Sequence, residues 1–378
     1  MTINEQIESG VSEIVLTADT AEQITVPKWA NVTLDLAGFI LSGDGASHTI
    51  INRGTLRIRD SSFQRTGTIF CNVKDRANIF NDFGGRLIVD SAILTRGDQS
   101  WYCIHNWGKS VIINYVQVNS SGVAAVIHNG FYSPKAENPD KVFCEMLIND
   151  ATILTSGSPN ACVKNDEYGI MTITGGVFVS TSKFAVNSWN ELTILGGAFT
   201  SEAAAPLVCG STPGDGGHCQ LNIRGGTFRG ATGIVSDCSE GQSQPDYVAP
   251  DWNVTAGAYM PAIEEKFLGE GVELIVNPDG TTSVVTDSTR NWKVERGVNS
   301  AGFLGVAGAV FKKDVLEYKQ GGIDVPAYDF TPIAVIGASA VGGITAYYDP
   351  VLKKIILYRG NTEASGSILD VTLAIIGH

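Results

Sequence analysis

Two histidines, a lysine, an aspartate and several aromatic residues in the middle of the chain have the types and spacing to do chemistry. His105, His128 and Lys164 stand in the phrases Ile104-His105-Asn106, Ile127-His128-Asn129 and Val163-Lys164-Asn165. Successive residues of a strand point to opposite faces. With the flanking residues inward, His105, His128 and Lys164 face outward, and so do Trp107 and Asp166. Phe131 and Tyr132 follow on an insertion at 130–145, and Trp101, Tyr102 and Trp189 lie near in sequence. Aromatic faces suit sugar rings, and imidazole or carboxylate groups orient hydroxyls. The candidate surface for a glycan or a protein partner is therefore His105, Trp107, His128, Phe131, Tyr132, Lys164 and Asp166. The same aromatics also fit a purely packing role, holding insertions onto the body of the protein or onto a neighbouring subunit. No third ligand is spaced to complete a metal site with the two histidines. They read as ordinary surface residues, and no metal or cofactor is expected.

Carboxylates offer little catalysis. A glycosidase needs two of them at a defined separation across a groove. A lyase needs a base, commonly with calcium held by several carboxylates. Asp60, Asp90 and Asp150 occupy comparable places in three repeats but are separated by repeats without an acid, so they read as turn residues. No catalytic residue is assigned.

What must position these residues is an internal repeat. Nine copies of one phrase run apolar, x, apolar, several mostly small residues, then an apolar residue seven after the first. They are Leu34/Leu36/Leu41, Leu56/Ile58/Phe63, Leu87/Val89/Leu94, Val111/Ile113/Val118, Met146/Ile148/Ile153, Met171/Ile173/Phe178, Leu192/Ile194/Phe199, Leu221/Ile223/Phe228 and Trp252/Val254/Tyr259, starting 21–35 residues apart. Three carry Gly-Gly at the small positions, at 175–176, 196–197 and 225–226. Apolar residues two apart share one face of a strand, glycines permit a sharp bend, and a unit that cannot bury its own face must stack on the next. A second phrase, apolar-x-Asn, places Asn52, Asn81, Asn106, Asn129, Asn165 and Asn187 inward, one per coil, with Cys209 and Asp237 in the slot of the next two coils. Buried amides bonded to one another along the stack form a structural ladder.

Short strands in coils of this length describe a parallel β-helix. Residues 20–290 resemble the right-handed parallel β-helix, pectate-lyase-like superfamily, through "ITVPKWANVTLDLAGFILSG", "LTILGGAF" and the closing "EEKFLGEGVELIVNPDGTTSVV". The resemblance implies that the closing segment is a short helix and hairpin sealing the open end. Sequence alone reads Asn277-Pro278-Asp279-Gly280 as a turn between strands. Residues 3–9 are predicted to form an N-terminal capping helix. Polygalacturonase-type signatures are missing; Asn165-Asp166-Glu167 and Gly217-His218-Cys219 are the nearest approaches.

Beyond about 287 the pattern changes to alternating strands, expected at 302–311, 313–318, 330–337, 343–349, 353–359 and 367–377, with a hairpin at Asp349-Pro350. They predict a small antiparallel β-sandwich whose core is lined by Phe330, Ile333, Val335, Ile344, Ala346, Ile355, Leu357, Leu369, Val371 and Leu373. "YYDPVLKKIILYRG" and "ILDVTLAIIGH" resemble C-terminal β-modules of tailed-bacteriophage virion proteins. The expected organisation is an N-terminal cap at 1–30, an all-β parallel β-helix of about nine coils at 31–260, a helix and hairpin cap at 261–287, and a sandwich for virion attachment or oligomerisation at 288–378.

Composition fits and excludes. The 378 residues include 43 glycines and carry a net charge of −13, with only 17% charged residues. The acidic balance excludes nucleic acid, and no apolar run reaches the ~18 residues of a membrane span. The first residues show no basic region or apolar core, so no export signal is expected. Seven cysteines without a CxxC read as core residues, not disulfides or zinc ligands. With the resemblance of the C-terminal segment to phage virion modules, the expectation is a non-enzymatic bacteriophage virion structural protein, a capsid decoration protein or head fibre assembled in the host cytoplasm and displayed on the virion surface. Its expected partners are capsid or other virion proteins and host surface glycans, and the resemblance suggests a homotrimer. The alternatives are a tail fibre or tailspike with polysaccharide depolymerase activity, and a bacterial surface adhesin.

Overall fold

The computed structural model describes residues 1–43, 45–122, 124–156, 161–210, 219–237 and 250–286, and eight strand segments beyond 286. Met1–Glu270 with Leu274–Val284 form one compact unit; Gly271–Glu273 with Val285–His378 form a second.

The first unit is a parallel β-solenoid. One sheet stacks nine parallel strands, from Ile24–Val26 through Ile50–Asn52, Ile79–Asn81, Ile104–Asn106, Ile127–Asn129, Ala161–Asn165, Phe184–Ser188 and Leu207–Cys209 to Val235–Asp237. Nine strands of one face enclose eight full turns. The other two strands of each coil join a larger sheet in the same coil-to-coil order, for example Thr55–Arg59, Arg86–Val89 and Ser110–Ile113. Alternation buries one side of each strand, as in Ser110–Ile113, where Val111 and Ile113 are buried and their neighbours are not.

Interior rows are in register across coils. Phe178, Phe199, Phe228 and Tyr259 stack with centroid spacings of 4.9, 5.0 and 5.1 Å. The bend before each ring needs glycine. Gly176 has φ +113°, and a Cβ there would stand 2.8 Å from the backbone N and O of Ala151.

The asparagine ladder runs through five coils. Asn52 Nδ2 donates to Asn81 Oδ1 (2.7 Å), Asn81 to Asn106 (2.8 Å), Asn106 to Asn129 (2.7 Å) and Asn129 to Asn165 (2.9 Å). Asn187, expected as the sixth member, is not in it. Lys164 pairs with Asn187 and Asn165 with Ser188, so Ser188 fills the slot, 3.4 Å from Asn165 Nδ2. A one-residue slip moves a side chain to the opposite face. Cys209 and Asp237 continue the row as expected.

Two repeat assignments are also corrected. In the first copy, Val32 and Leu34 pair with Leu56 and Ile58, two residues earlier than the phrase beginning at Leu34. In the second, Phe63 is fully exposed and Ile69 takes the inward place. The cause is Asp60, whose carboxylate accepts from the N–H groups of Gly38, Ser62 and Gly67 and gathers the intervening residues into a surface loop.

Both ends of the stack are covered, which removes open strand edges. Helix Ile3–Glu8 has a Thr2–Glu5 capping box and buries Ile3 and Ile7. At the other end a short 3₁₀ turn, Glu265–Phe267, buries Phe267 against Trp252. Strands Val272–Val276 and Thr282–Thr286 flank the Asn277–Gly280 turn, and the second pairs antiparallel with the last coil.

In the second unit Lys293–Val298, Ala307–Tyr318, Gly366–Gly377 and Pro332–Ser339 form one antiparallel sheet. Ile323–Asp324, Lys354–Arg359, Ile344–Asp349 and Thr362–Glu363 form another. The two strands expected at 302–311 and 313–318 are one, Ala307–Tyr318. Its polar Lys312-Lys313-Asp314 triplet does not end it, because backbone pairing with Gly366–Gly377 needs no apolar side chain there. The turn at Pro350 and the core side chains expected in this unit lie outside the described residues.

Candidate functional site

The phrase apolar-x-Asn positions the site. Its middle residue points out of the solenoid, and strict register stacks Ile51, Phe80, His105, His128 and Lys164 in one row over five strands. Segments before these strands supply His48, Arg76, Trp101, Tyr102, Ala124 and Ala125; segments after them supply Trp107 and, from the insertion at 130–143, Tyr132 and Glu137. Together they surround a cavity of about 730 Å³, within the 300–1,000 Å³ usual for ligand sites.

The wall is a continuous ring stack. His48 lies on Phe80 (4.7 Å) and Phe80 beside His105 (5.1 Å). Tyr102 stacks on His128 (4.5 Å), and Trp107 meets His105 edge-on at 5.0 Å. Arg96, buried and with no carboxylate partner among the described residues, donates to the carbonyls of Ala124 (2.8 Å) and Ala125 (3.1 Å) and fixes that wall.

One ionic cluster underlies the row. Asp166 Oδ2 is 2.8 Å from His128 Nε2 and 2.6 Å from Lys164 Nζ, which also lies 4.7 Å from the centre of the Tyr132 ring. Burial alone raises the Asp166 pKa, but Lys164 and His128 outweigh it, and the carboxyl stays below its usual range. An ionised carboxylate only accepts, so His128 Nε2 carries the hydrogen. His128 Nδ1 and the Trp107 indole N–H, both buried, have no hydrogen-bond partner among the described residues. Burial holds His105 well below the usual imidazole range, with His128 and His48 adding to it, and brings His48 to about 4.

Four of the seven candidates behave differently from expectation. His105 is only 8% exposed and His128 1%, so neither is an ordinary surface residue. They do face outward, but the Trp101-Tyr102 segment and the insertion roof them over. Phe131 is fully buried with Cys144 and Tyr168, packed on by Phe83 and Trp107, and does not line the cavity. Asp166 lies beneath the row, 1% exposed, and also does not line it. Trp107, Tyr132 and Lys164 do line it. Of the residues near in sequence, Trp101 and Tyr102 join and Trp189 does not. His48, Arg76 and Glu137 carry no signal in the sequence. Phe80 does, since it fills the same middle position as His105. The sequence also carries insertions at 210–220 and 239–251 at the corner where the 130–145 insertion enters, of which residues 211–218 and 239–249 lie outside the described residues.

Among the described residues no group of His, Cys, Asp and Glu is placed to hold a metal ion, and no helix is long and apolar enough to cross a membrane. Comparison of the chain with family models, curated proteins and solved structures finds no match.

Proposed function

We propose that the protein is a saccharide-binding β-solenoid without catalytic activity, and that its C-terminal unit attaches it to a bacteriophage particle as a decoration protein or head fibre. The observation that carries the binding reading is the cavity itself, lined by aromatic and imidazole rings with polar groups between them. Rings of this kind stack on the apolar faces of sugars while the intervening groups meet hydroxyls. The attachment reading rests on the likeness of the Tyr347–Gly360 hairpin and the last strand to phage virion modules.

The carboxylates support binding over cleavage. Asp166 is held by both His128 and Lys164 and does not reach the cavity. The acids that line it are Asp75, from the segment before Ile79–Asn81, and Glu137, from the insertion after Ile127–Asn129.

A panel of bacterial surface polysaccharides tests this directly. Binding without new reducing or unsaturated ends is expected; cleavage would establish the depolymerase reading instead. For attachment, deletion of 288–378 is expected to abolish co-purification with phage heads, and retention would remove that assignment.

A further inference from the structure

One outward face of the solenoid carries no charge. It is built by seven strands, one per coil, from Ile40–Ser42 to Ala198–Ser201. Each strand turns two residues outward, and parallel pairing aligns them in two rows. One row runs from Ile40 through Ile93 and Val177 to Ala198, and the other from Ser42 through Phe70 and Leu154 to Thr200. None of these fourteen residues is Asp, Glu, Lys or Arg; half are apolar and half carry a hydroxyl or an amide. Arg96, on one of the seven strands, points inward and is buried. Ile40, Leu154 and Val177 are each 40–45% exposed. Arg229 is the first charge in either row, one coil further on. The other strands of the larger sheet differ, since Arg57, Arg86 and Glu145 point outward from them.

We propose that this face binds a second copy of the chain, face to face, about a two-fold axis. The chain carries a net charge of −13, so two copies repel wherever their acidic surfaces approach. On the uncharged rows they meet without opposing like charges and without stripping water from an ion. In a two-fold interface the same patch faces itself. Hydroxyls and amides both donate and accept, so rows that mix them with apolar groups complement their own copy. A three-fold ring would instead join two different patches, and the adjacent strands would set Arg57, Arg86 and Glu145 against the uncharged rows. Sheets packed face to face stand ~10 Å apart with their strands within ~30° of each other. Seven strands at about 4.8 Å give a face about 34 Å long, and two outward rows with their side chains make it about 14 Å wide. Two copies then bury about 1,000 Å² in total, the lower limit for a specific interface, so the dimer is reversible. The cavity lies on strands of the nine-stranded sheet, so the pairing is independent of the saccharide reading.

Sedimentation equilibrium of the full chain from ~1 to ~300 μM tests this, and a monomer–dimer equilibrium with a midpoint of about 1–100 μM is expected. Leu154→Glu combined with Val177→Glu puts two acids on the rows of each copy. It is expected to raise that midpoint at least about tenfold. Both side chains are exposed, so the circular dichroism spectrum and the urea midpoint are expected to match those of the native chain. If that variant does not fold, Thr152→Lys, at an exposed hydroxyl of the same rows, replaces it. Thr193→Lys, outward on an adjacent strand, is the control and is expected to dimerise like the native chain. A native chain that is monomeric throughout, or trimeric, overturns the proposal. So does a dimer that the charged rows leave intact, or one that Thr193→Lys disrupts equally.

Discussion

Asn106→Asp isolates the ladder from packing, because the two side chains have the same shape. Asn106 is fully buried. Its Oδ1 accepts from Asn81 Nδ2 at 2.8 Å and from the Gly108 N–H at 3.0 Å, and a carboxylate retains both. Its Nδ2 donates to Asn129 Oδ1 at 2.7 Å and more weakly to the Glu145 carbonyl at 3.3 Å. A carboxylate turns that donor into an acceptor facing the Asn129 oxygen. One lost bond contributes about 1 kcal/mol and one buried acceptor left unsatisfied about 1–3 kcal/mol, so the variant should lose about 2–4 kcal/mol at pH 7. That is a large share of the ~5–15 kcal/mol that stabilises a domain. The new carboxyl is buried among acceptors, so its folded pKa lies above the unfolded ~3.9. The folded state then binds more protons between those values, and the variant's deficit grows as pH rises through that window. Below it the protonated group donates one bond to Asn129, and roughly half of the loss should return. Urea unfolding of both proteins at pH 7 and pH 4.5 measures this. A difference under about 0.5 kcal/mol at pH 7, or one independent of pH, would refute the view that the amide ladder stabilises the coils.

Asp166→Asn removes the charge between His128 and Lys164, and breaking such a buried pair is expected to cost about 3–5 kcal/mol. In the native protein the Asp166 pKa is depressed, so its contribution is present at neutral pH and fades as pH falls below the ordinary carboxylate range. Acid unfolding curves of the variant should lack that component. By NMR, His48 is expected to titrate near 4 and His105 well below the usual imidazole range; an unfolded imidazole binds its proton near 6.5, so stability should decline as pH drops from about 6.5 toward 4. A His105 resonance titrating at 6 or above would contradict the burial described. Gly176→Ala combines φ +113° with a backbone clash at 2.8 Å and should cost about 1–3 kcal/mol by thermal or chemical unfolding. Cys103, Cys144 and Cys162, with thiols raised to about 12 by burial, should resist alkylation until the protein unfolds; rapid labelling of any of the three, read by mass spectrometry, would argue against it.

The repeat determined the solenoid from sequence alone. Apolar residues two apart followed by Gly-Gly, as at Leu192/Ile194 with Gly196-Gly197, allow a strand, a bend and a strand that can bury their faces only by stacking. The inward asparagines from Asn52 to Asn165 follow from the same alternation, because an in-register stack places identical amides one strand apart. Local phrases fail where a loop shifts the count. Asp60 draws Phe63 to the surface by collecting three N–H groups, two of them from beyond its own turn, and the Phe184–Ser188 strand slips Asn187 outward by one residue. The candidate site divides in the same way. That His105, His128 and Lys164 share one outward row with Phe80 was legible from a repeated three-residue phrase. That this row is the floor of a cavity was not, since it depends on Trp101, Tyr102 and the insertion folding back over it. Likewise Asp166 turns into an ionic contact with His128, 38 residues away, as well as with Lys164, and Phe131 into an apolar cluster with Tyr168 and Phe83. Alternation fixes which side of a sheet a residue leaves from; what covers it on that side is decided by chain that the strand pattern does not contain.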